Sequence, residues 1–191
     1  MARIESSRLS LVSIGTPILE ALLGNDHVTA ARLLGCRIPA DYPLERMPLA
    51  LRLKQLWADP SEQPWLLRAM IDRASETMIG HIGFHAPPRG KYLTNIAPDG
   101  VEIGYTVHLP FRRQGYAKEA VLALMHWAFS RHDQRCFVLF VSPQNFPSTA
   151  MAESLGFTKC GSNVDDIDGV ETIFVRRFET WPAEWRVDVA G

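Results

Sequence analysis

The segment from residue 101 to residue 132 constrains the fold most, because a strand-like run, a loop and a long amphipathic helix follow one another there. The run "VEIGYTVHL" (101–109) reads as a strand. The run "GYAKEAVLALMHWAFSRH" (115–132) carries apolar residues three and four positions apart, as amphipathic helices do. A helix that follows a strand in this way packs its apolar face on a sheet. The chain is therefore predicted to be a mixed α/β domain.

Further strands and short helices are predicted on both sides of this segment. Strands are expected at 8–15, 64–74, 77–86, 136–141, 156–164 and 170–179. Helices are expected at 16–25, 26–35, 43–60 and 147–156. Thr16 is the predicted cap of the first helix and Gly156 the predicted stop of the last. The length of 191 residues fits a single domain, 1–191.

Charge and cysteine content exclude several classes of function. Lys plus Arg number 20 and Asp plus Glu number 21, so no basic face large enough for nucleic acid is expected. The three cysteines, Cys36, Cys136 and Cys160, lack CxxC spacing, which predicts neither a zinc site nor a disulfide framework and fits a reducing cytoplasm. No apolar run has the length of a signal peptide or a membrane span. We therefore expect a cytoplasmic protein without a membrane partner.

A turn of small residues lies where the long helix begins. It reads "RRQGYA" (112–117) and has Gly115 where a Ser, Thr, Asp or Asn cap would be usual. The unpaired N–H groups of a helix start, with the positive end of the helix dipole behind them, form an anion site. Gly115 has no side chain and Ala117 only a methyl group, so a phosphate could approach these N–H groups. A plain turn with solvated arginines accounts for the residues equally well when they are taken alone.

Two motifs in the same order give the chain a resemblance to the GNAT superfamily of acetyl-coenzyme A-dependent N-acyltransferases. The first motif is Q/R-x-x-G-x-G/A, here Arg112-Arg113-Gln114-Gly115-Tyr116-Ala117. The second is an Asn on the next strand–helix crossing followed by Gly-Phe, here Asn145 and Gly156-Phe157. The strand "VEIGYTV" and Ser148 look most like the RimJ/RimL-like branch. The resemblance implies the GNAT fold, a central, mostly antiparallel, splayed sheet of about seven strands flanked by helices.

The resemblance also implies acetyl-coenzyme A as co-substrate. The pyrophosphate would lie on the amides of Gln114, Gly115, Tyr116 and Ala117, with the charges of Arg112, Arg113 and Lys118 around it. The pantetheine arm would enter the opening of the sheet and pair with the backbone of Thr106 and Val107. The Asn145 side chain would contact the same arm, and the alternative for Asn145 is a cap on the helix that follows it.

Acetylation of an amine needs a base and a donor to the leaving thiolate, because amines are mostly protonated at neutral pH. Several family members carry a catalytic glutamate at the place of Glu102, which is therefore the predicted base, directly or through water. Strand alternation puts Glu102 on the face opposite Tyr105. The usual family acid, a tyrosine seven residues after the asparagine, is replaced by Ala152. Ser148 is the nearest substitute, and both Glu102 and Ser148 can also be read as structural residues.

The resemblance implies that the acceptor is bound by the early helices, about 26–57, and by the last hairpin. Three hairpin carboxylates would attract a cationic amine unless they form only a solvated turn: Asp165, Asp166 and Asp168. Trp57 or Trp65 would form a wall of the pocket.

Three strand histidines, His81, His85 and His108, are interpreted as structural, although His85 lies at a strand end where acceptor-side residues often lie. No HxxxH helix is present, so metal binding is not expected.

The implied activity is transfer of an acetyl group from acetyl-coenzyme A to a primary amine, either a protein N-terminus or a small amine. A homodimer is among the expected assemblies. The alternative is a non-catalytic acyl-coenzyme A-binding protein that keeps the fold, which the missing tyrosine at Ala152 leaves open. A P-loop nucleotide-binding protein is excluded, because no GxxxxGK[ST] motif is present.

Overall fold

The computed structural model describes residues 3–165 and 169–185, and these residues form one sheet of eight strands. The strands are Arg3–Glu5 (β1), Leu9–Ser13 (β2), Arg68–Asp72 (β3), Thr77–Phe84 (β4), Val101–Val107 (β5), Cys136–Val141 (β6), Thr158–Asp165 (β7) and Gly169–Arg177 (β8). Their order across the sheet is β1-β2-β3-β4-β5-β6-β8-β7. The mixed α/β class and the mostly antiparallel sheet are confirmed. The count exceeds seven because the three-residue β1 adds an edge strand beside β2.

Five α-helices connect the strands within the same residues. They are Thr16–Leu23 (α1), His27–Leu34 (α2), Leu49–Ala58 (α3), Tyr116–His132 (α4) and Phe146–Ser154 (α5). The cap of α1 is Gly15 rather than the predicted Thr16, because the Gly15 carbonyl already accepts the first helical bond, from the Leu19 amide at 3.0 Å. Helix α2 ends as expected at Gly35, which has a φ angle of 69°.

The sheet divides between β5 and β6. Strands β1 to β5 are antiparallel to their neighbours, whereas β5 and β6 are parallel and pair only at Val101↔Phe137 and Glu102↔Val138. Beyond Glu102 the two strands separate, although β5 continues to Val107 and β6 to Val141. The splayed opening implied by the resemblance is therefore present, and it begins at Glu102.

Helices cover both faces of the sheet and hold this opening in place. In α4, Ala120, Val121 and Leu124 are completely buried in a cluster shared with β2, β4 and β6. A second cluster contains Ile18 and Leu19 of α1 together with residues of α2, α3 and β3. Full burial of one such aliphatic side chain contributes about 1.5–3 kcal/mol, so the edges of the opening are anchored by packing. No helix in the described ranges combines the length and apolar character needed to cross a lipid bilayer.

Candidate active site

A cleft of about 1120 Å³ lies where β5 and β6 separate. Residues of β4, β5, β6, α3 and α5 line it. Small-molecule sites typically measure about 300–1,000 Å³, so this cleft has room for an extended cofactor arm and a second substrate together.

The turn before α4 has the backbone shape of an anion site. Arg113 and Gly115 have positive φ angles of 62° and 83°, and Gly115 caps the helix without a side-chain hydrogen bond. The Glu119 amide makes the first helical bond, to the Gly115 carbonyl at 3.1 Å. The amides from Gly115 to Lys118 precede that bond and lack helical partners. The turn thus brings together the amides of Gln114, Gly115, Tyr116 and Ala117, and their role with the pyrophosphate stays a prediction.

Arg8, in the connection between β1 and β2, belongs to this turn and was not identified from the sequence. Its Nε donates to Glu119 Oε2 at 2.7 Å, and its Nη1 donates to the Gln114 carbonyl at 3.0 Å. The guanidinium stacks 4.2 Å from the centre of the Tyr116 ring. Its Nη2 lies 3.4 Å from the place that a Cβ on Gly115 would take. The Arg8 guanidinium therefore places a positively charged hydrogen-bond donor beside Gly115.

The three basic side chains predicted around the phosphates have different surroundings. Arg112 Nε donates to the Val107 carbonyl at 2.8 Å, which ties the turn to the end of β5. Lys118 Nζ donates to Ser154 Oγ at 3.2 Å, and Arg113 is exposed. Arg112 is therefore engaged with backbone, whereas the charge of Arg113 faces solvent.

The backbone of β5 faces β4 and the opening alternately. The Glu102 carbonyl accepts from the amide of His85, the residue after β4, at 3.0 Å, so every second residue from Glu102 turns its backbone towards β4. The Thr106 carbonyl accordingly lies against Gly80 of β4. Against the prediction, the Thr106 backbone is turned away from the opening. The Val107 backbone faces the opening, its carbonyl accepts from Arg112 Nε at 2.8 Å, and its pairing with the cofactor arm stays a prediction.

Asn145 and Ser148 meet at the start of α5, on the wall of the cleft. Asn145 Oδ1 accepts from the Ser148 amide at 3.3 Å, so this oxygen caps helix α5, which was the alternative interpretation of Asn145. The Tyr105 hydroxyl donates to Ser148 Oγ at 2.9 Å. Burial raises the pKa of Tyr105, which therefore stays protonated at neutral pH. Ala152 is completely buried, and Tyr105 is the phenol that lies beside Ser148 instead.

Glu102 lies at the point where β5 leaves β6, and it is buried. Its Oε1 lies 2.8 Å from Nδ1 of His85. Burial, and then the negative charge of Glu102, raise the pKa of Tyr92. Burial lowers the pKa of Arg52, and the negative charge of Glu102 opposes that effect. Glu102 is thus on the face opposite Tyr105, as predicted, but it contacts His85 rather than standing alone.

The strand histidines fall into two groups. His81 is buried, its Nδ1 lies 3.0 Å from the Tyr42 hydroxyl, and burial lowers its pKa to about 4, so it is neutral at neutral pH. His108 is buried with Nε2 3.3 Å from Asp41. Both fit the structural interpretation. The His85 side chain is 42% exposed and lines the cleft, so that interpretation does not describe it.

The predicted acceptor side is present in part, because α3, which lies within the early helices, lines the cleft, whereas the two tryptophans do not. Trp65 packs against Phe84 and Trp127, Trp57 is exposed, and neither lines the cleft. Asp166 and Asp168, together with the side chain of Asp165, lie outside the described residues.

No group of three or more His, Cys, Asp and Glu side chains in residues 3–165 and 169–185 could hold a metal ion.

Sequence comparison matches residues 17–158 to a family model described as "Acetyltransferase (GNAT) domain". The curated protein "Uncharacterized N-acetyltransferase YjdG" of Bacillus subtilis is 26% identical over 162 residues, which are 82% of this chain and 90% of that protein.

Solved structures share the fold over nearly the whole chain. A putative GnaT-family acetyltransferase from Bordetella pertussis is 19% identical with a TM-score of 0.65, covering 92% of this chain and 99% of that one. A structure titled "RimL- Ribosomal L7/L12 alpha-N-protein acetyltransferase in complex with Coenzyme A" is 20% identical with a TM-score of 0.62, covering 93% and 99%. Since the family model spans most of the chain, this protein belongs to the GNAT family of acetyl-coenzyme A-dependent N-acetyltransferases.

Proposed function

We propose that the protein transfers an acetyl group from acetyl-coenzyme A to a primary amine. The observation that carries the proposal is the layout of one cleft. A turn with the backbone shape of an anion site precedes α4 beyond one end of β5, and the Glu102–His85 pair lies where the other end of β5 leaves β6. Between the two ends, the edge of β5 beyond Glu102 has no partner strand among the described residues, and Arg112 bonds its far carbonyl, that of Val107. A phosphate-bearing thioester and an amine would meet at the Glu102 end.

The residues of the turn and of β5 would hold the cofactor, which supplies the activated acetyl thioester when bound. The amides of the turn and the Arg8 guanidinium would bind the pyrophosphate. The backbone of Ile103 and Tyr105 and the Val107 amide face the opening and would pair with the pantetheine arm. Residues 103–107 span roughly 17 Å at about 3.4 Å per residue, which lets an extended arm reach from the turn towards Glu102.

The residues around the thioester divide the chemical work between the two faces of β5. The Glu102–His85 pair on one face would take a proton from the acceptor ammonium group. Backbone N–H groups of β5 that face the opening would donate to the acetyl oxygen as negative charge builds there. On the other face, Ser148 accepts from Tyr105 and keeps its own hydroxyl proton to donate to the leaving sulfur.

The proposed acceptor is a protein N-terminus or a small amine. The neighbour titled as an alpha-N-protein acetyltransferase supports the first class, because its name places the acetyl group on a protein α-amino nitrogen. The side chains of Glu102 and Glu171 line the cleft and would attract the positive charge that both classes share.

An acetyl-transfer panel tests this function. The protein is incubated with acetyl-coenzyme A and, separately, with N-terminal peptides, polyamines and amine antibiotics. We expect thiol release that depends on one acceptor class, with an equal amount of acetylated amine found by mass spectrometry. Binding of the cofactor without transfer to any amine of the panel would support the non-catalytic alternative.

Arg8→Ala should weaken acetyl-coenzyme A binding by about ten- to a hundredfold, because a charge-assisted hydrogen bond contributes about 1.5–3 kcal/mol. Isothermal titration calorimetry measures the change. Arg73→Ala is the matched control, since Arg73 is similarly exposed and bonds the Ser6 carbonyl of the same connection. Acetyl-pantetheine, which lacks the pyrophosphate, should bind wild type and Arg8→Ala alike. An equal loss of affinity for both ligands would show that Arg8 acts only on the fold.

A further inference from the structure

We propose that His85 is the catalytic base that takes the proton from the acceptor amine, and that Glu102 is a positioning residue for its imidazole. The inference rests on the proposed function and assigns its proton-transfer step. The family resemblance gives that step to the glutamate, whereas the contacts of the two side chains favour the histidine.

The exposures of the two side chains separate their roles. The Glu102 side chain is 8% exposed and the His85 side chain is 42% exposed. His85 bonds the carboxylate and Tyr92 lies beside it, so an amine would have to displace a neighbour to reach it. The imidazole lines the cleft and is open to an acceptor that enters.

The contact with Glu102 determines which imidazole nitrogen accepts the proton. A carboxylate only accepts hydrogen bonds, so Nδ1 of His85 donates to Oε1 across the 2.8 Å separation. In the neutral imidazole the free lone pair is then on Nε2. The carboxylate also stabilises the imidazolium that forms after proton transfer, as in other carboxylate–histidine pairs.

The position of Nε2 matches the place where the thioester is expected. A Cβ on Gly104 would overlap Nε2, so the ring crosses β5 at a residue that has no side chain to exclude it. Gly104 is the second residue after Glu102, at which the pairing of β5 with β6 stops. The free lone pair therefore lies at the inner end of the opening.

Charged and titratable groups face His85 from each element packed against it. Arg52 of α3 donates from Nη1 to the His85 carbonyl at 2.7 Å. Glu102 of β5 bonds the ring, and Tyr92 lies beside Glu102. Other groups line the same cleft: His81, Arg46 and Glu171. Among these groups, Glu102 contacts the ring itself, whereas Arg52 contacts the His85 backbone.

The proposed step balances without a further reactant. Nε2 takes one proton from the ammonium group, and the neutral nitrogen attacks the acetyl carbon as the C–N bond forms. The adduct collapses with breakage of the C–S bond, and the second nitrogen proton passes to the thiolate through the Ser148 hydroxyl. His85 then releases its proton to water. The products are the amide, the free thiol and one proton.

The test compares pH–rate profiles of wild type, His85→Gln and Glu102→Gln with the acceptor identified by the panel. His85→Gln should lower kcat about 10²–10⁴-fold and remove the acid limb of the profile, because the glutamine amide cannot act as a base. Glu102→Gln should lower kcat less and move the acid limb to lower pH, because the imidazolium loses its anion. His27→Gln, at an exposed position of α2, is the control and should match wild type.

The profile is collected with a folding control. Burial lowers the pKa of His81 from 6.5 to about 4, so the unfolded chain binds a proton in this interval that the folded chain does not. Stability therefore falls as the pH drops below about 6.5. Circular dichroism at each pH separates this loss from the acid limb.

Two results would overturn the assignment. The first is an unchanged acid limb in His85→Gln together with its loss in Glu102→Gln, which would make the glutamate the base while acetyl transfer stands. The second needs no turnover. ¹⁵N NMR of the neutral His85 imidazole should show its single proton on Nδ1, and a neutral ring with the proton on Nε2 would contradict the proposal. Absence of transfer by wild type on every amine would instead contradict the proposed function.

Discussion

Gly115→Glu is expected to abolish acetyl-coenzyme A binding while the protein stays folded. The new carboxylate would occupy the anion site at the start of α4 and would pair with Arg8, whose Nη2 is 3.4 Å from the Cβ position. The φ angle of 83° adds backbone strain of about 1–2 kcal/mol for a residue with a side chain. Titration calorimetry should show at least a hundredfold loss of affinity, about 2.7 kcal/mol. The thermal stabilisation by the cofactor should disappear with it.

Substitutions at two other glycines serve as controls, because they distinguish loss of the ligand site from the effects of backbone strain and added charge. Gly169 also has a positive φ angle, 74°, and a Cβ there would meet nothing within 4 Å, so Gly169→Glu reproduces the strain on the β7–β8 hairpin. Gly161 is open and does not have a positive φ angle, so Gly161→Glu adds charge alone. Both variants should bind the cofactor like wild type. A folded Gly115→Glu variant with wild-type affinity would place the pyrophosphate elsewhere.

The sequence predicted the parts of the fold that depend on local patterns. The alternation at 101–109, the periodicity at 115–132 and the apolar run at 136–141 correspond to β5, α4 and β6, because each pattern reflects burial of one face or two. The edge strand β1 was missed because three residues carry too little alternation to be recognised. Thr16 was misassigned as a cap because a Thr-Pro pair fits both the cap and the first helical positions.

The candidate site was predicted only where a motif is contiguous. The turn from Arg112 to Ala117 is one run of residues, and its shape is the expected one. Arg8 meets Gln114 across 106 residues, and no local pattern marks such a contact. His85 and Glu102 meet because β4 and β5 are antiparallel neighbours, which a strand assignment alone does not reveal. The position of His85 at a strand end pointed to the acceptor side, but its exposure, which separates it from the buried His81, cannot be read from the sequence.

Gly104→Ala is expected to lower kcat about a hundredfold or more and to leave acetyl-coenzyme A affinity nearly unchanged. The new methyl group would overlap Nε2 of His85, whereas the β5 backbone is held by its pairing with β4. The imidazole is the end of a rotatable side chain on the open side of the cleft, so it should turn away rather than unfold the sheet. Its bond to Glu102 would be lost, although both side chains would still be present. Steady-state kinetics with calorimetry of cofactor binding measures the two effects separately.

A double-mutant cycle decides whether the methyl group acts through His85. If Gly104→Ala removes the base from its place, the same substitution in a His85→Gln background should change kcat by less than about threefold, because the function is already lost. If the methyl group instead blocks the acceptor, the two losses should multiply, and KM for the amine should rise in both backgrounds. Gly161→Ala, where a Cβ meets nothing within 4 Å, should leave both constants unchanged. If the two losses in kcat multiply, the methyl group at residue 104 acts independently of His85. The absence of a side chain at Gly104 is then required for acceptor binding rather than for proton transfer.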